Sequence, residues 1–411
     1  MRVSVPIESE HAQSARRPDW VSSYLATVVA MMAIQASSLG FSPLIPLMKD
    51  AWGMTYTQVG TFTGVYGLVA LVMSVPAGVL AKRFGEKRIL LSGLALAAVG
   101  LTAVGCANDY LQGLTARTIW ILGYRLAFIC VMTAVAITVP SRQRGKAMGL
   151  LGALTALATI LGSGFSARME AAFGWRLSMS GFAVLAICGG VCFGYFYRSS
   201  VAATPAGDAT GAGPSGLFSA FKIPVVWLIP LLGVANAGGF AATFFVPSVV
   251  RTVFHGDASQ ASLIIASAYT AAIFLNPLFG WLADRLNRWV VMAGITALMV
   301  PACFMMSSRN FHVFWLATTL LVGLGHVTAN QVYPTAAELL RGRDAGPIMG
   351  IVGLGSGLFG YLGPLALGWM RDHSGGFDLG WYVLMGTTSA VAALLIYLKH
   401  YTHEHNRSEA R

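Results

Sequence analysis

Charge is scarce in this chain. Of 411 residues only 10% are Asp, Glu, Lys or Arg, while 56% are hydrophobic, and the mean hydropathy is +0.67. A soluble domain of average composition is about a quarter charged, so the chain cannot solvate a surface of ordinary size. Soluble enzymes, nucleic-acid binders and disordered proteins are poor fits on that ground. Acid is scarcer still: there are 16 Asp and Glu residues, and all fall in tails, connections or the ends of apolar stretches. A cation pump or an exporter of cationic compounds needs a buried carboxylate, and none is offered. The five cysteines (Cys106, Cys130, Cys188, Cys192 and Cys303) lie inside apolar stretches, without the spacing of a disulfide framework or a zinc site. A Gly-x-x-x-x-Gly-Lys-Ser/Thr loop for ATP is missing, so an ion gradient is the expected energy source. Residues 1–18 are polar, with Arg16 and Arg17, and do not read as a cleavable signal peptide. No cofactor and no metal are expected.

What is present is apolar sequence in long blocks, with basic residues clustered between them. The net charge of +11 therefore reads as topology rather than as affinity for nucleic acid. At roughly 20 residues per crossing, the length allows about twelve spans. They are expected near 20–48, 56–81, 88–107, 111–139, 145–169, 176–198, 222–250, 259–283, 288–307, 311–334, 345–370 and 378–400. Backbone groups in lipid must be bonded within their own segment, so these are helices. The expected fold is all-α, with twelve transmembrane helices in two pseudo-symmetric six-helix bundles. Pro43, Pro46, Pro76, Pro230, Pro247, Pro277 and Pro364 fall within the spans and should kink them. Residues 1–19 form an N-terminal tail, 20–198 the first bundle, 199–221 a flexible linker rich in Ala, Gly, Pro and Ser, 222–400 the second bundle and 401–411 a tail. Of 27 Lys and Arg residues, 19 fall in the tails and even-numbered connections, six in odd-numbered connections and two within span four. That ratio puts both termini in the cytoplasm of a cell (inner) membrane.

The two halves repeat with an offset of 201. Pro46 maps onto Pro247 and Pro76 onto Pro277; Gly145, Met148, Gly149 and Gly152 map onto Gly346, Met349, Gly350 and Gly353; Gly162, Met169 and Gly174 map onto Gly363, Met370 and Gly375. Parallel repeats of six helices place a binding site near the midplane, between the halves. The loop after span two reads Gly78-Val-Leu-Ala-Lys82-Arg83-Phe-Gly85-Glu-Lys87-Arg88, and the loop after span eight Gly280-Trp-Leu-Ala-Asp284-Arg285-Leu-Asn287-Arg288. With Arg144-Gly145-Lys-Ala-Met-Gly149, Gly174-Trp175-Arg176 and Pro334-Thr-Ala-Ala-Glu338, the chain resembles the major facilitator superfamily of secondary transporters over its whole length. The resemblance implies transport by alternating access of two bundles. It also implies a cytoplasmic gate around Lys82, Arg83, Arg144, Asp284 and Arg285. Lys82 stands where the family usually has Asp, which alters the first-half clamp; Asp284 keeps the second. Span five lacks the family's drug-antiporter Gly-Pro pattern. The glycine-rich run from Gly353 to Pro364 is similar to that of the organic-anion symporter branch.

The ionisable residues inside the spans are Arg117, Arg125 and His326. Arg125 lies 15 residues before Pro140, roughly 22 Å from the cytoplasmic end, and the repeat pairs it with His326. Arginine stays charged and grips carboxylate with a planar fork, whereas histidine changes charge near neutral pH. Arg125 is expected to hold a substrate anion, with His326 completing the site or carrying the coupled proton; otherwise both are satisfied core residues. Arg117 matches the arginine the superfamily often has in span four, with Ile121 in place of the family glycine. It is either a substrate or coupling residue or a snorkelling anchor. The repeat pairs Gln35 with Asn236, whose amides suit a polar ligand or helix–helix bonding. Tyr124 shares a face with Arg117, and Asn330 with His326. Tyr66 and Tyr269 close the cavity or sit among lipid-facing aromatics. Met31, Met32, Met305 and Met306 read as packing, and His400, His403 and His405 as a solvated end.

The expected activity is secondary transport of a small organic anion, a carboxylate, coupled to protons, by a monomer in the lipid bilayer. Efflux of amphipathic drug-like compounds, uptake of an inorganic anion and, last, a non-transporting membrane sensor are the alternatives.

Overall fold

The structure, a computed structural model, describes residues 19–198, 228, 230–337 and 346–409. The linker 199–221, the start of the expected seventh span, Glu338 and the N-terminal tail lie outside the described residues. Those described form helices, and their boundaries follow from local chemistry. The first span is built from α1 (Asp19–Gly40), a 3-10 turn (Ser42–Leu44) and α2 (Ile45–Ala51). Pro43 and Pro46 sit in the first turns of the pieces they begin, where a missing N–H costs nothing. The helix α3 (Tyr56–Phe84) opens with a capping box in which Thr55 and Gln58 bond reciprocally. It bends by 59° between Met73 and Pro76, where proline removes a ladder bond. There follow α4 (Glu86–Cys106), α5 (Tyr110–Thr138), α6 (Ser141–Phe196), α7 (Gly233–Val253), α8 (Ala258–Arg285), α9 (Arg288–Met305), α10 (Phe311–Ala337), α11 (Gly346–Ser374) and α12 (Asp378–Glu409).

The expected fifth and sixth spans run together as α6, 56 residues long, and reverse at Gly174, whose φ is 80°. Gly375, 201 positions later, turns the chain between α11 and α12 with φ 73°. A side chain is disfavoured in that region, so the repeat seen in the sequence is a repeat of backbone geometry. Nine described helices are long and apolar enough to cross a membrane, and the bent α3 makes a tenth. Counting α6 as two crossings and adding α11 gives twelve. Large apolar side chains such as Val72, Val99, Val191 and Phe274 point outward, toward the lipid that such a surface requires.

Two ends of the bundle are distinguished by their connections. The loop-52 end carries residues 52–55, 107–109 and 254–257, and the opposite, loop-85 end carries 85, 139–140 and 286–287. Trp52 Nε1 donates to the Ala107 carbonyl at 3.1 Å at the first of these. At the second, the start and finish of the first half are stitched together. Ser23 Oγ donates to the Arg198 carbonyl at 3.3 Å and accepts from the Arg198 N–H at 3.2 Å. Lys87 Nζ donates to the Tyr197 carbonyl at 2.9 Å, and Tyr197 OH to Glu86 at 3.2 Å.

The halves meet most closely where α3 crosses α11. A Cβ placed on Gly67 would lie 2.5 Å from the Gly357 oxygen and from backbone atoms of Gly360 and Tyr361; one on Gly368 would strike the Tyr56 carbonyl. Small residues allow this approach, as helices in lipid require.

Candidate functional site

Four helices of the first half bring polar groups to one point. Tyr66 OH (α3) donates to Tyr124 OH (α5) at 3.4 Å. Tyr124 OH donates to Gln35 Oε1 (α1) at 2.7 Å, and Gln35 Nε2 donates to Thr159 Oγ1 (α6) at 3.5 Å. The guanidinium of Arg125 lies 4.1 Å from the centre of the Tyr66 ring, and its Nη2 donates to the Tyr66 carbonyl at 3.4 Å. Arg125 is half-buried, and its buried Nε has no partner among the described residues. The ring face offsets part of the cost of holding a cation out of water, and most of the donor fork is left for another acceptor. Tyr66 then meets Phe240 of α7 at 5.0 Å between ring centres, so this cluster abuts the second half.

The structure thus brings Gln35, Tyr124 and Arg125 to one cluster, where the sequence pairs Gln35 with Asn236, Tyr124 with Arg117 and Arg125 with His326, and Tyr66, left open there, is the residue on which Arg125 rests. Gln35 spends its oxygen on Tyr124 and its amide N–H on Thr159, and Tyr124 is also bonded by Tyr66, so both amide and phenol are engaged within the first half. Arg117 does not snorkel: it is 0% exposed, with its guanidinium 4.2 Å from Phe41, 4.0 Å from Trp120 and 5.5 Å from Phe62. His326 is half-buried and packs edge-to-face on Tyr269 of α8 at 5.5 Å. Asn330 is exposed and donates to Asn276 of α8 at 2.9 Å. The Asn236 side chain lies outside the described residues. Among the described residues, no group of three His, Cys, Asp or Glu could hold a metal ion.

At the loop-85 end, Lys82, Arg83 and Arg144 are exposed. Asp284 pairs with Arg288, four residues along its own helix end, at 2.5 Å, and Arg285 lies 4.3 Å from the Trp281 ring. Asp284 thus has a partner in its own half. Ties across the halves gather at the loop-52 end. Asp372, in the last turn of α11, accepts from the backbone N–H of Tyr56 at 2.9 Å, and from the N–H and hydroxyl of Thr57 at 2.7 Å each. The carboxylate caps the N-terminus of α3, where the helix dipole favours negative charge. Arg371 lies 4.9 Å from the Tyr56 ring, and Asp50 pairs with Arg251 at 2.8 Å. This clamp was not read from the sequence. The Thr55–Gln58 capping box starts the helix, but nothing in one chain says which carboxylate reaches it.

Partial burial would raise the Asp372 pKa, but the bonds from Thr57 and Tyr56 outweigh it and hold the carboxyl below its ordinary range. A depressed pKa means the tie is present at neutral pH and is lost only as pH falls through that lowered value. Asp372→Asn should weaken closure of this end about two- to five-fold, the modest worth of an exposed charged contact. Spin-label distances across the loop-52 end at pH 7 check this, and an unchanged distribution would assign the clamp to other groups.

A two-fold repeat of six membrane helices, with a polar cluster between the halves and one end clamped, defines a membrane carrier. The model of the Major Facilitator Superfamily matches residues 24–255 and 234–411, and the chain belongs to that family. It is a multi-pass membrane transporter for a small molecule, not an enzyme. It is 29% identical over 365 residues to a chloramphenicol resistance protein of Streptomyces lividans, covering 82% of this chain and 90% of that one. It is 21% identical to a probable sulfoacetate transporter of Cupriavidus necator, covering 87% and 88%. With a probable nitrate/nitrite transporter of Mycobacterium tuberculosis the identity is 26%, covering 88% and 92%. Among solved structures, a bacterial homolog of the human lysosomal transporter Spinster superposes with a TM-score of 0.75 at 14% identity, covering 94% of this chain and 98% of that one. A nucleoside transporter gives 0.77 at 12%, covering 92% and 99%. These two likenesses establish the fold.

Proposed function

We propose that the protein moves a small organic anion, a carboxylate, across the cell membrane by alternating access, coupled to protons. The observation that carries this reading is Arg125: a cation held between the halves on the Tyr66 ring, with its donor fork largely unspent. The acids described near the bundle lie at helix ends, as Asp50, Asp284, Asp372 and Asp378 do, and are remote from that guanidinium in the chain. A bidentate carboxylate is the ligand that completes such a fork. The sulfoacetate and nitrate/nitrite relatives lend support, since both named substrates are anions. The excess of basic residues puts the loop-85 end and both termini in the cytoplasm. The clamp at the loop-52 end then closes the outer side, and Arg125 is reached from within. The bundles at 20–198 and 222–400 move against each other, and the protein works as a monomer.

The chloramphenicol-resistance relative favours a second reading, export of an amphipathic drug-like compound. A thermal-shift screen on purified protein separates the two. Stabilisation by organic acids that is lost in Arg125→Met supports the anion carrier; stabilisation by chloramphenicol-like neutral compounds alone overturns it.

His326 carries the coupled proton in this scheme, since it is the titratable group at the position paired with Arg125. His326→Gln is expected to abolish accumulation driven by a pH gradient while substrate counterflow, which needs no net proton movement, continues. Accumulation at the wild-type level in proteoliposomes would remove His326 from coupling.

A further inference from the structure

A cavity of about 220 Å³ lies at the loop-52 end, and both halves build it. Pro46, Leu47 and Glu170 line it from the first half, and Pro247, Asp257 and Ala261 from the second. Pro46 and Pro247 are mates in the 201-residue repeat. Mates of a two-fold repeat share one small cavity only near the axis that relates them, so the cavity sits where the halves face each other. Pro46 stands in the first turn of α2, and Pro247 lies inside α7. The side chains of the two prolines, Leu47 and Ala261 offer only carbon to an occupant.

The charged groups beside this carbon wall do not balance. Arg251, which also lines the cavity, is engaged: it pairs with Asp50 across the halves at 2.8 Å. Asp257 caps α8, accepting the Gln260 N–H on Oδ1 at 2.8 Å, with Oδ2 left over. Glu170 lies on α6, four residues before the reversal at Gly174. It is half-buried, with no hydrogen bond or ion pair among the described residues. A carboxylate drawn partly out of water without a partner favours a cation. A metal ion needs a shell of oxygens, which proline, leucine and alanine side chains do not give. An ammonium group on a short apolar body meets both parts of the wall, with its charge against Glu170 and Asp257 and its carbon against the prolines.

We propose that this cavity binds a small organic ammonium ion, and that the bound ion holds the loop-52 end shut. The walls come from both halves, so the site is complete only while that end is closed, and a ligand favours the state that binds it better. An amine arriving from the loop-52 side therefore arrests the carrier with that end closed. The inference rests on the two bundles moving against each other; it does not depend on what Arg125 binds.

The test uses the full chain in nanodiscs at pH 7, with its five cysteines replaced and spin labels at Asn108 and His312. Both positions are exposed at the loop-52 end, one in each half, and neither lines the cavity. Benzylamine is the probe, and benzyl alcohol, of similar shape without the charge, is the control. Melting temperature reads binding, and the distance distribution reads closure. Benzylamine is expected to raise the melting temperature and to lower the wide-distance fraction; benzyl alcohol should do neither. Glu170→Gln should need about ten-fold more benzylamine for the same shifts, the effect of losing one charge-assisted bond. Ala258→Leu, which fills the cavity from the second half, should lose both effects, and it decides the matter if the glutamine variant fails to fold. Arg125→Met should keep both. A wild type that ignores benzylamine, an equal response to benzyl alcohol, or an undiminished response in either cavity variant overturns the proposal. So does a response lost in Arg125→Met, which would move the amine to the central cluster. A Glu170-dependent rise in melting temperature with unmoved distances overturns the hold on the gate. If wide distances are absent from every sample, the motion of the bundles fails and the hold with it, while melting still reads the site.

Discussion

Arg125→Lys is expected to lower the efficiency of substrate uptake about 10- to 100-fold while the protein folds and inserts normally. Charge-assisted hydrogen bonds are worth about 1.5–3 kcal/mol each when one partner is lost. Lysine keeps the positive charge and can still lie over the Tyr66 ring, which is why folding survives. It lacks the planar pair of donors that a carboxylate engages, and the bond to the Tyr66 carbonyl that fixes the guanidinium is also lost. Initial uptake rates in proteoliposomes, compared with the thermal stability of the same preparation, separate the two effects. Wild-type uptake efficiency in the lysine variant would make Arg125 a structural residue.

Gly368→Val should trap the carrier with the loop-52 end open. A side chain there runs into the Tyr56 carbonyl at the α3–α11 crossing, and the obstacle is backbone, which cannot rotate away. Overpacking of this kind costs about 1–3 kcal/mol, a shift of about 5- to 150-fold against the closed arrangement. The crossing also carries the Asp372 bonds to Tyr56 and Thr57, so the same change loosens the clamp. Transport should fall in proportion, because every turn of the proposed alternating-access cycle passes through this closure. Distance measurements across the loop-52 end report the expected change, and a variant that closes as wild type does would show that α11 can shift sideways at little cost.

Much of the architecture was legible in the sequence because it depends on local chemistry. Spans follow from apolar length, the bend in α3 from Pro76, and the reversals at Gly174 and Gly375 from a backbone conformation that suits glycine. The family signature loops flank α3 and α8 as their spacing implied. The site was legible as a list of expensive residues, since an ionisable group in a span is informative wherever it points. Its arrangement was not. Whether Gln35 meets a ligand or Tyr124 depends on how α1 is rotated against α5, and a helix with apolar residues on every side carries no amphipathic stripe to fix that rotation. The contact of Tyr66 with Phe240 was hidden for a similar reason: phenylalanine in a membrane helix is unremarkable until its neighbour from the other half is known. The clamp through Asp372 is a contact between residues over 300 positions apart, and nothing local marks it.

The stitching of Ser23 to Arg198 and of Lys87 and Glu86 to Tyr197 bears on how the protein is made. These bonds join the beginning of the first six crossings to their end and use no residue beyond Arg198. The first half can therefore close into a ring of helices while the ribosome is still translating the second, as units emerging first tend to fold first. A chain severed between the halves, with both pieces made in the same cell, should accordingly reassemble in the membrane from two finished parts.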